Sequence, residues 1–157
     1  MTLHALLTGL FPLEEINGRH VCPTYLYRWT LLRASGYGVY LHKFVGDDWT
    51  LDLHDHPKRF VSIGLWGGYT EETPSECPCD LHHEHSPQRR FFRAPWIRTF
   101  PASHVHRLTG PTPERPCWTL VLVGRPVREW GFWHFGHFIP WKRYVTSDKA
   151  TERKACA

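Results

Sequence analysis

The sequence predicts an all-β domain, a sandwich or a barrel, on three observations. Twelve glycines and 13 prolines are spread along 157 residues, which leaves little uninterrupted chain for long helices. The segments between them alternate in polarity or are rich in β-branched and aromatic residues, and aromatics make up 15% of the chain. Roughly nine to eleven such runs follow one another in a length that suits one domain.

Taken in order, residues 2–11 set Leu3, Leu6, Leu7 and Leu10 on one face at helical spacing and predict a short helix. Pro12, Gly18 and Pro23 then punctuate a loop, so 1–24 is an N-terminal extension and 25–145 the barrel domain. Strands are predicted at 28–33 and 38–45, a turn at Gly46, Asp47 and Asp48, and a strand at 49–53. A strand at 59–66 follows, and Gly67 and Gly68 allow a sharp bend before 69–72. Residues 73–89 read as a long polar loop with Pro74, Pro78 and Pro87. Strands at 90–93, 96–100, 104–108, 117–123, 127–132 and 133–138 complete the domain, and 146–157 is a flexible tail.

Several function classes are excluded at this level. The net charge is +4 with Lys and Arg scattered, so the electrostatic footprint of a nucleic-acid binder is missing. No apolar run reaches the ~20 residues of a membrane span, and the N-terminus lacks the basic start and cleavage site of a secretion signal. Five cysteines form no regular framework, so free thiols in a reducing, cytoplasmic setting are expected, with Cys117 a buried inert thiol. No nucleophile elbow, phosphate-binding loop or dinucleotide fingerprint is present.

The outlier is histidine, with 12 copies. They cluster at His54 and His56, at His82, His83 and His85, and at His104 and His106, with His134 and His137 as a looser pair. In a strand the side-chain period is two, so His54 and His56 share one face while Asp55, with Leu51 and Leu53, points to the other. His104 and His106 repeat that spacing. Two such pairs in one small β domain point to a metal ion held by imidazoles with open positions left for water or substrate.

The spacing Gly46…His54-x-His56…Gly68 followed by Pro101-x4-His106 resembles the two motifs of the cupin superfamily, jelly-roll barrels with a central metal. That resemblance implies a cupin-like jelly-roll barrel and assigns His54, His56 and His106 as ligands. Ser103 stands where the second motif has Gly, and the Glu expected four or five residues after His56 falls at Phe60 or Val61. A three-His site without Glu resembles the cysteine dioxygenase branch. The segments Leu53-His54-Asp55-His56-Pro57, Gly67 to Glu71, His106 to Leu108, Trp118 to Leu120 and Val127 to Phe132 resemble cupin-type proteins of bacteria and phages. A homodimer is expected from the same likeness.

His104 is expected either as a fourth ligand or as an acid/base beside the metal. Tyr69, Arg59, Tyr40 and Arg107 lie near the motif strands, an Arg there suiting a carboxylate or phosphate and a Tyr suiting a metal-bound oxygen. Glu129 and Trp130 suit an internal ion pair and an aromatic plug. The loop residues Cys77, Cys79, His82, His83 and His85 are candidates for a second, zinc site. The expected function is a metal-dependent enzyme on a small molecule, first an Fe(II) oxygenase of thiol-dioxygenase type. The alternatives are a non-redox isomerase or epimerase using Zn, Mn or Ni, and a non-catalytic ligand-binding accessory protein.

Overall fold

The computed structural model describes residues 2–17, 23–75 and 87–147. Helix α1 (Leu3–Leu10) opens the chain, with the Thr2 hydroxyl accepting the Ala5 amide as its cap. Twelve strands follow: β1 (Leu13–Ile16), β2 (Leu26–Ala34), β3 (Tyr37–Phe44), β4 (Leu53–His54), β5 (Lys58–Trp66), β6 (Gly68–Thr73), β7 (Gln88–Arg93), β8 (Trp96–Phe100), β9 (Arg107–Thr109), β10 (Cys117–Pro126), β11 (Gly131–His134) and β12 (His137–Pro140). A short helix α2 (Trp141–Val145) closes them.

One antiparallel sheet has the order β1-β2-β3-β10-β5-β8, and two smaller sheets have the orders β12-β11-β4 and β7-β6-β9. The chain keeps crossing between the layers, so β3, β5, β8 and β10 in the large sheet are followed by β4, β6, β9 and β11 in the small ones. The two small sheets are joined where His54 and His106 exchange both backbone hydrogen bonds, at 2.8 and 2.9 Å. Directly opposed residues of such a pair project from the same face, so this seam places two imidazoles side by side. Within the large sheet, Cys117, Thr119 and Val121 of β10 are buried toward the small sheets, as period-two alternation requires.

The apolar interior has two parts. Leu26, Phe44, Tyr69, Leu108 and Cys117 pack between the layers, and burial pushes the Cys117 thiol up to about 12, so it stays a thiol. Trp49, Phe132 and Tyr144 form the other part, with Phe132 stacked on Tyr144 at 4.1 Å. Tyr144 also donates to Asp52 at 2.6 Å, which fixes α2 against the small sheet.

Several expectations need correction. The 12–23 loop contains a strand, β1, because Leu13 and Ile16 pair with Trp29 and Leu26 of β2 and extend the large sheet. The strand at 49–53 shrinks to Leu53–His54, because Thr50 and Asp52 turn inward and the Thr50 hydroxyl accepts the Asp52 amide. The strand expected at 104–108 begins only at Arg107, and that expected at 133–138 is broken by a turn at Phe135 and Gly136, both with positive φ. Helix α2 was not foreseen. The loop candidates Cys77, Cys79, His82, His83 and His85 lie outside the described residues.

Gly67 makes the corner between β5 and β6. Its φ is +76°, and a Cβ there would stand 2.2 Å from the Pro116 carbonyl oxygen, a backbone atom that cannot swing aside. Gly67→Ala should therefore cost about 2–4 kcal/mol in urea unfolding. Gly9→Ala, in α1 with open space around the added carbon, should be neutral or stabilising by under ~1 kcal/mol. Equal effects of the two substitutions would contradict this corner.

Candidate metal centre

Three imidazoles meet at the seam. The ring centroids of His54 and His56 are 5.1 Å apart, those of His54 and His106 5.2 Å, and those of His56 and His106 4.9 Å. One nitrogen from each lies within 4.8 Å of the others. His54 is set by β4, His106 by its backbone pairing with His54, and His56 by its amide donating to the Ala102 carbonyl at 3.1 Å. Asp55 points away: its Oδ1 accepts the Gly131 amide at 2.9 Å, and its Oδ2 faces Arg128 at 3.0 Å.

Glu71, on β6, decides the protonation of the site. Arg98, His104 and His106 all donate to this carboxylate and hold it well below the usual range against the opposing effect of burial. An ionised carboxylate only accepts, so the 2.9 Å contacts mean that His104 donates from Nε2 and His106 from Nδ1. The Nε2 of His106 is then a lone pair, and it faces the Nε2 of His56 at 2.8 Å. This is the carboxylate–histidine arrangement that orients a metal-ligating imidazole. Burial also pushes His54 and His56 well below the ordinary histidine range, with neighbouring imidazoles adding to the effect. The Nε2 proton of a neutral His56 then lies between the His56 and His106 rings, and a divalent cation at that point would take its place, each ring turning a lone pair to the ion.

A second group, Glu71, His104 and His106, also has its donor atoms within 4.8 Å. Those atoms are already tied to each other, and neither Glu71 nor His104 lines the interior cavity. The structure brings His104 to Glu71, on the Nδ1 side of His106, rather than to His54 and His56.

The three-His group opens onto a cleft of about 590 Å³ between the layers, partly open to the outside. Its walls include Phe44, Phe60, Phe100 and Phe132, with Trp130 stacked on Trp141 at 5.7 Å. Asp48 also lines it, and its Oδ2 lies 3.9 Å from His54 Nδ1. Burial pushes the Asp48 carboxyl up to about 7, although its bond from the Leu108 amide pulls the other way.

The remaining sequence candidates divide by strand parity. Tyr69 lines the cavity and accepts from Arg98 at 3.0 Å, and burial pushes its phenol up to about 12. Tyr40 lines it too. Arg59 does not: Phe60 and Ser62 of the same strand face inward, so Arg59 is exposed on the opposite face. Arg107 is buried, but it faces Glu72 at 3.1 Å, away from the cavity lined by His106 and Leu108. Glu129 is exposed, so of that pair only Trp130 reaches the cavity. Sequence reasoning missed Glu71, Asp48 and the cavity-lining Arg28. The Tyr69–Glu71 spacing on one strand face was the available signal for the first.

No protein-family model matches the chain, and no curated protein matches it. Among solved structures it is similar to an Fe(II) form of HppE, with a TM-score of 0.54 and 11% identity over 74% of this chain and 57% of that one. It is also similar to hydroxypropylphosphonic acid epoxidase from S. wedmorenis, with a TM-score of 0.52 and 10% identity over 74% of this chain and 56% of that one. The fold is a cupin-like jelly-roll barrel. At these identities the likeness is one of fold, and this chain spans little more than half the length of either structure. An uncharacterized conserved protein with a double-stranded beta-helix domain from Klebsiella pneumoniae matches at a TM-score of 0.49, with 13% identity over 74% of this chain and 94% of that one. No helix among the described residues is long and apolar enough to cross a membrane.

Proposed function

We propose that His54, His56 and His106 hold a divalent metal, iron(II) first, and that the protein oxidises a small organic molecule in the cavity, in the manner of a thiol dioxygenase. The observation that carries this reading is the convergence of three neutral imidazoles, one anchored by Glu71, on the wall of an aromatic-lined, partly open cavity. The Fe(II) form of HppE makes iron the first metal to load. When bound, the ion supplies open coordination positions and one-electron redox chemistry.

The protein's own groups do the rest. Glu71 fixes the tautomer of His106, and the phenylalanine walls offer apolar surface to the bound molecule. Tyr69 keeps its proton at neutral pH and serves as a hydrogen-bond donor into the cavity. Asp48, balanced near neutrality, holds or releases a proton beside His54. That last group also favours a second reading, a non-redox isomerase or epimerase with Zn, Mn or Ni as Lewis acid. Oxygen consumption by iron-loaded protein over a panel of small metabolites separates the two. Uptake that depends on one compound supports the oxygenase, and equal turnover of that compound without oxygen supports the isomerase.

Glu71→Ala should weaken metal binding by about 10–100-fold in a chelator competition, because the His106 proton loses its acceptor. An unchanged affinity would mean that His106 is not oriented through this bond. Protons compete with the metal for the imidazoles, so affinity should fall with pH. Burial keeps His54 and His56 neutral well below their ordinary value, so the fall should lie below about pH 6.5 rather than at it.

A further inference from the structure

Strand β10 reads as one buried on both faces: it runs Trp118, Thr119, Leu120, Val121, Leu122, Val123, without the polar alternation of a sheet that turns one side to water. Thr119 and Val121 line the cavity, so Leu120 and Leu122 point out of the barrel. On that outer face Leu41, Leu120, Ile63 and Ile97 stand opposite one another in one row, and Leu32, Val39, Leu122 and Val61 in the next. Neither row holds a charge, and on the same face Lys43 and Arg59 mark the borders. Ile97 is 75% exposed and Leu32 60%. Among the described residues, helix α1 packs on this face at its β2 end, with its polar side inward. His4 meets Tyr27 and Trp29 edge-on at 5.1 and 5.2 Å, and the Thr8 hydroxyl accepts from Trp29 Nε1 at 3.2 Å. Leu3, Leu6 and Leu10 face outward, 59%, 41% and 65% exposed, whereas a surface helix normally buries its apolar stripe. Of the residues outside the described ones, only Met1, Val21 and Leu81 carry long or branched apolar side chains, so they offer little to cover either surface.

We infer that a second copy of this chain covers both surfaces, each α1 laying Leu3, Leu6 and Leu10 on the uncovered rows of the other copy's large sheet. A twofold axis makes the contact self-complementary, because one molecule carries both the leucine ridge and the flat apolar rows. Each helix then lies between its own β2 and the β5 and β8 of the other copy, which accounts for its outward leucines. The area fits as well. The exposed surface of the helix stripe and the two rows amounts to roughly 800–900 Å², against about 800 Å² per partner in a standard stable interface. None of this depends on the metal centre, which lies on the other side of the large sheet.

Sedimentation velocity of the purified full chain at micromolar concentration tests the pairing. Wild type should sediment as a dimer of the 18.5 kDa chain. Leu6→Glu and Ile97→Lys, both at exposed positions, should each weaken the dimer about 100-fold or more by burying an unpaired charge, with the circular dichroism of the β fold unchanged. Mixed one to one, the two variants should form a heterodimer. One of its two helix–sheet contacts then joins opposite charges, and the other is unaltered. A wild type that stays monomeric would overturn the inference, as would a dimer indifferent to Leu6→Glu or to Ile97→Lys. Variants that remain monomeric when mixed would overturn the placing of each helix on the other copy's sheet. A monomer that floats with phosphatidylglycerol vesicles would overturn the pairing and assign the face to an anionic lipid surface.

Discussion

Metal-free protein should lose stability steeply as the pH is lowered from about 6.5, the range in which histidines of an unfolded chain take up protons. His42 is buried and His54 and His56 are half-buried, and all three remain neutral well below that range in the fold. Their folded-state values are depressed, so the stability they contribute is present above about pH 6.5 and is lost as the pH falls toward the folded values. Asp48 works in the opposite sense. Its carboxyl is raised to about 7, so the folded state holds a proton that the unfolded chain releases between about pH 4 and 7. His106 is also held below its ordinary value. Four imidazoles against one carboxyl thus give the unfolded state a net gain of roughly three protons, a slope of about 4 kcal/mol per pH unit at its steepest. Melting temperatures from pH 8 to 5 in the presence of chelator measure this. Asp48→Asn, which removes the opposing proton, should steepen the fall. A melting temperature flat to pH 5 would mean that the imidazoles are not held neutral.

Asp55→Ala should cost about 3–5 kcal/mol while leaving the metal centre intact. Asp55 is fully buried, and its carboxylate holds the start of β11 through the Gly131 amide and pairs with Arg128. Truncation leaves the Gly131 amide without its acceptor and Arg128 without its partner. For a domain of this size the loss should lower the melting temperature by roughly 10 °C. Asp55→Asn, which retains an oxygen for Gly131, should cost less. A near-neutral Asp55→Ala would show that this contact is not formed in solution.

The facing of the candidate ligands was legible because strand alternation is local: His54 and His56 fall on one side and Asp55 on the other. The same rule, applied to Phe60 and Ser62, would have turned Arg59 outward. The structural weight of Asp55 was not legible, because its partners Gly131 and Arg128 come more than 70 residues later. Glu71 reaches His106 only through the pairing of β6 with β9, which opposes Glu71 to Leu108, and no single-strand pattern announces that register. Arg28 enters the cavity by the same kind of long-range pairing, through His42 on β3. Short strands misread as loops, such as Leu13–Ile16, owe their structure to a neighbour rather than to their own sequence.

The most direct test of the three-His centre is the iron content of wild type, His56→Ala and Asp55→Asn, reconstituted side by side and measured by elemental analysis after gel filtration. Wild type and Asp55→Asn should each retain about one equivalent, and His56→Ala should retain under about a tenth, since a site with three protein ligands does not survive the loss of one. If Asp55→Asn loses the iron while His56→Ala keeps it, the two faces of this segment are reversed and the metal centre is not where these three imidazoles meet.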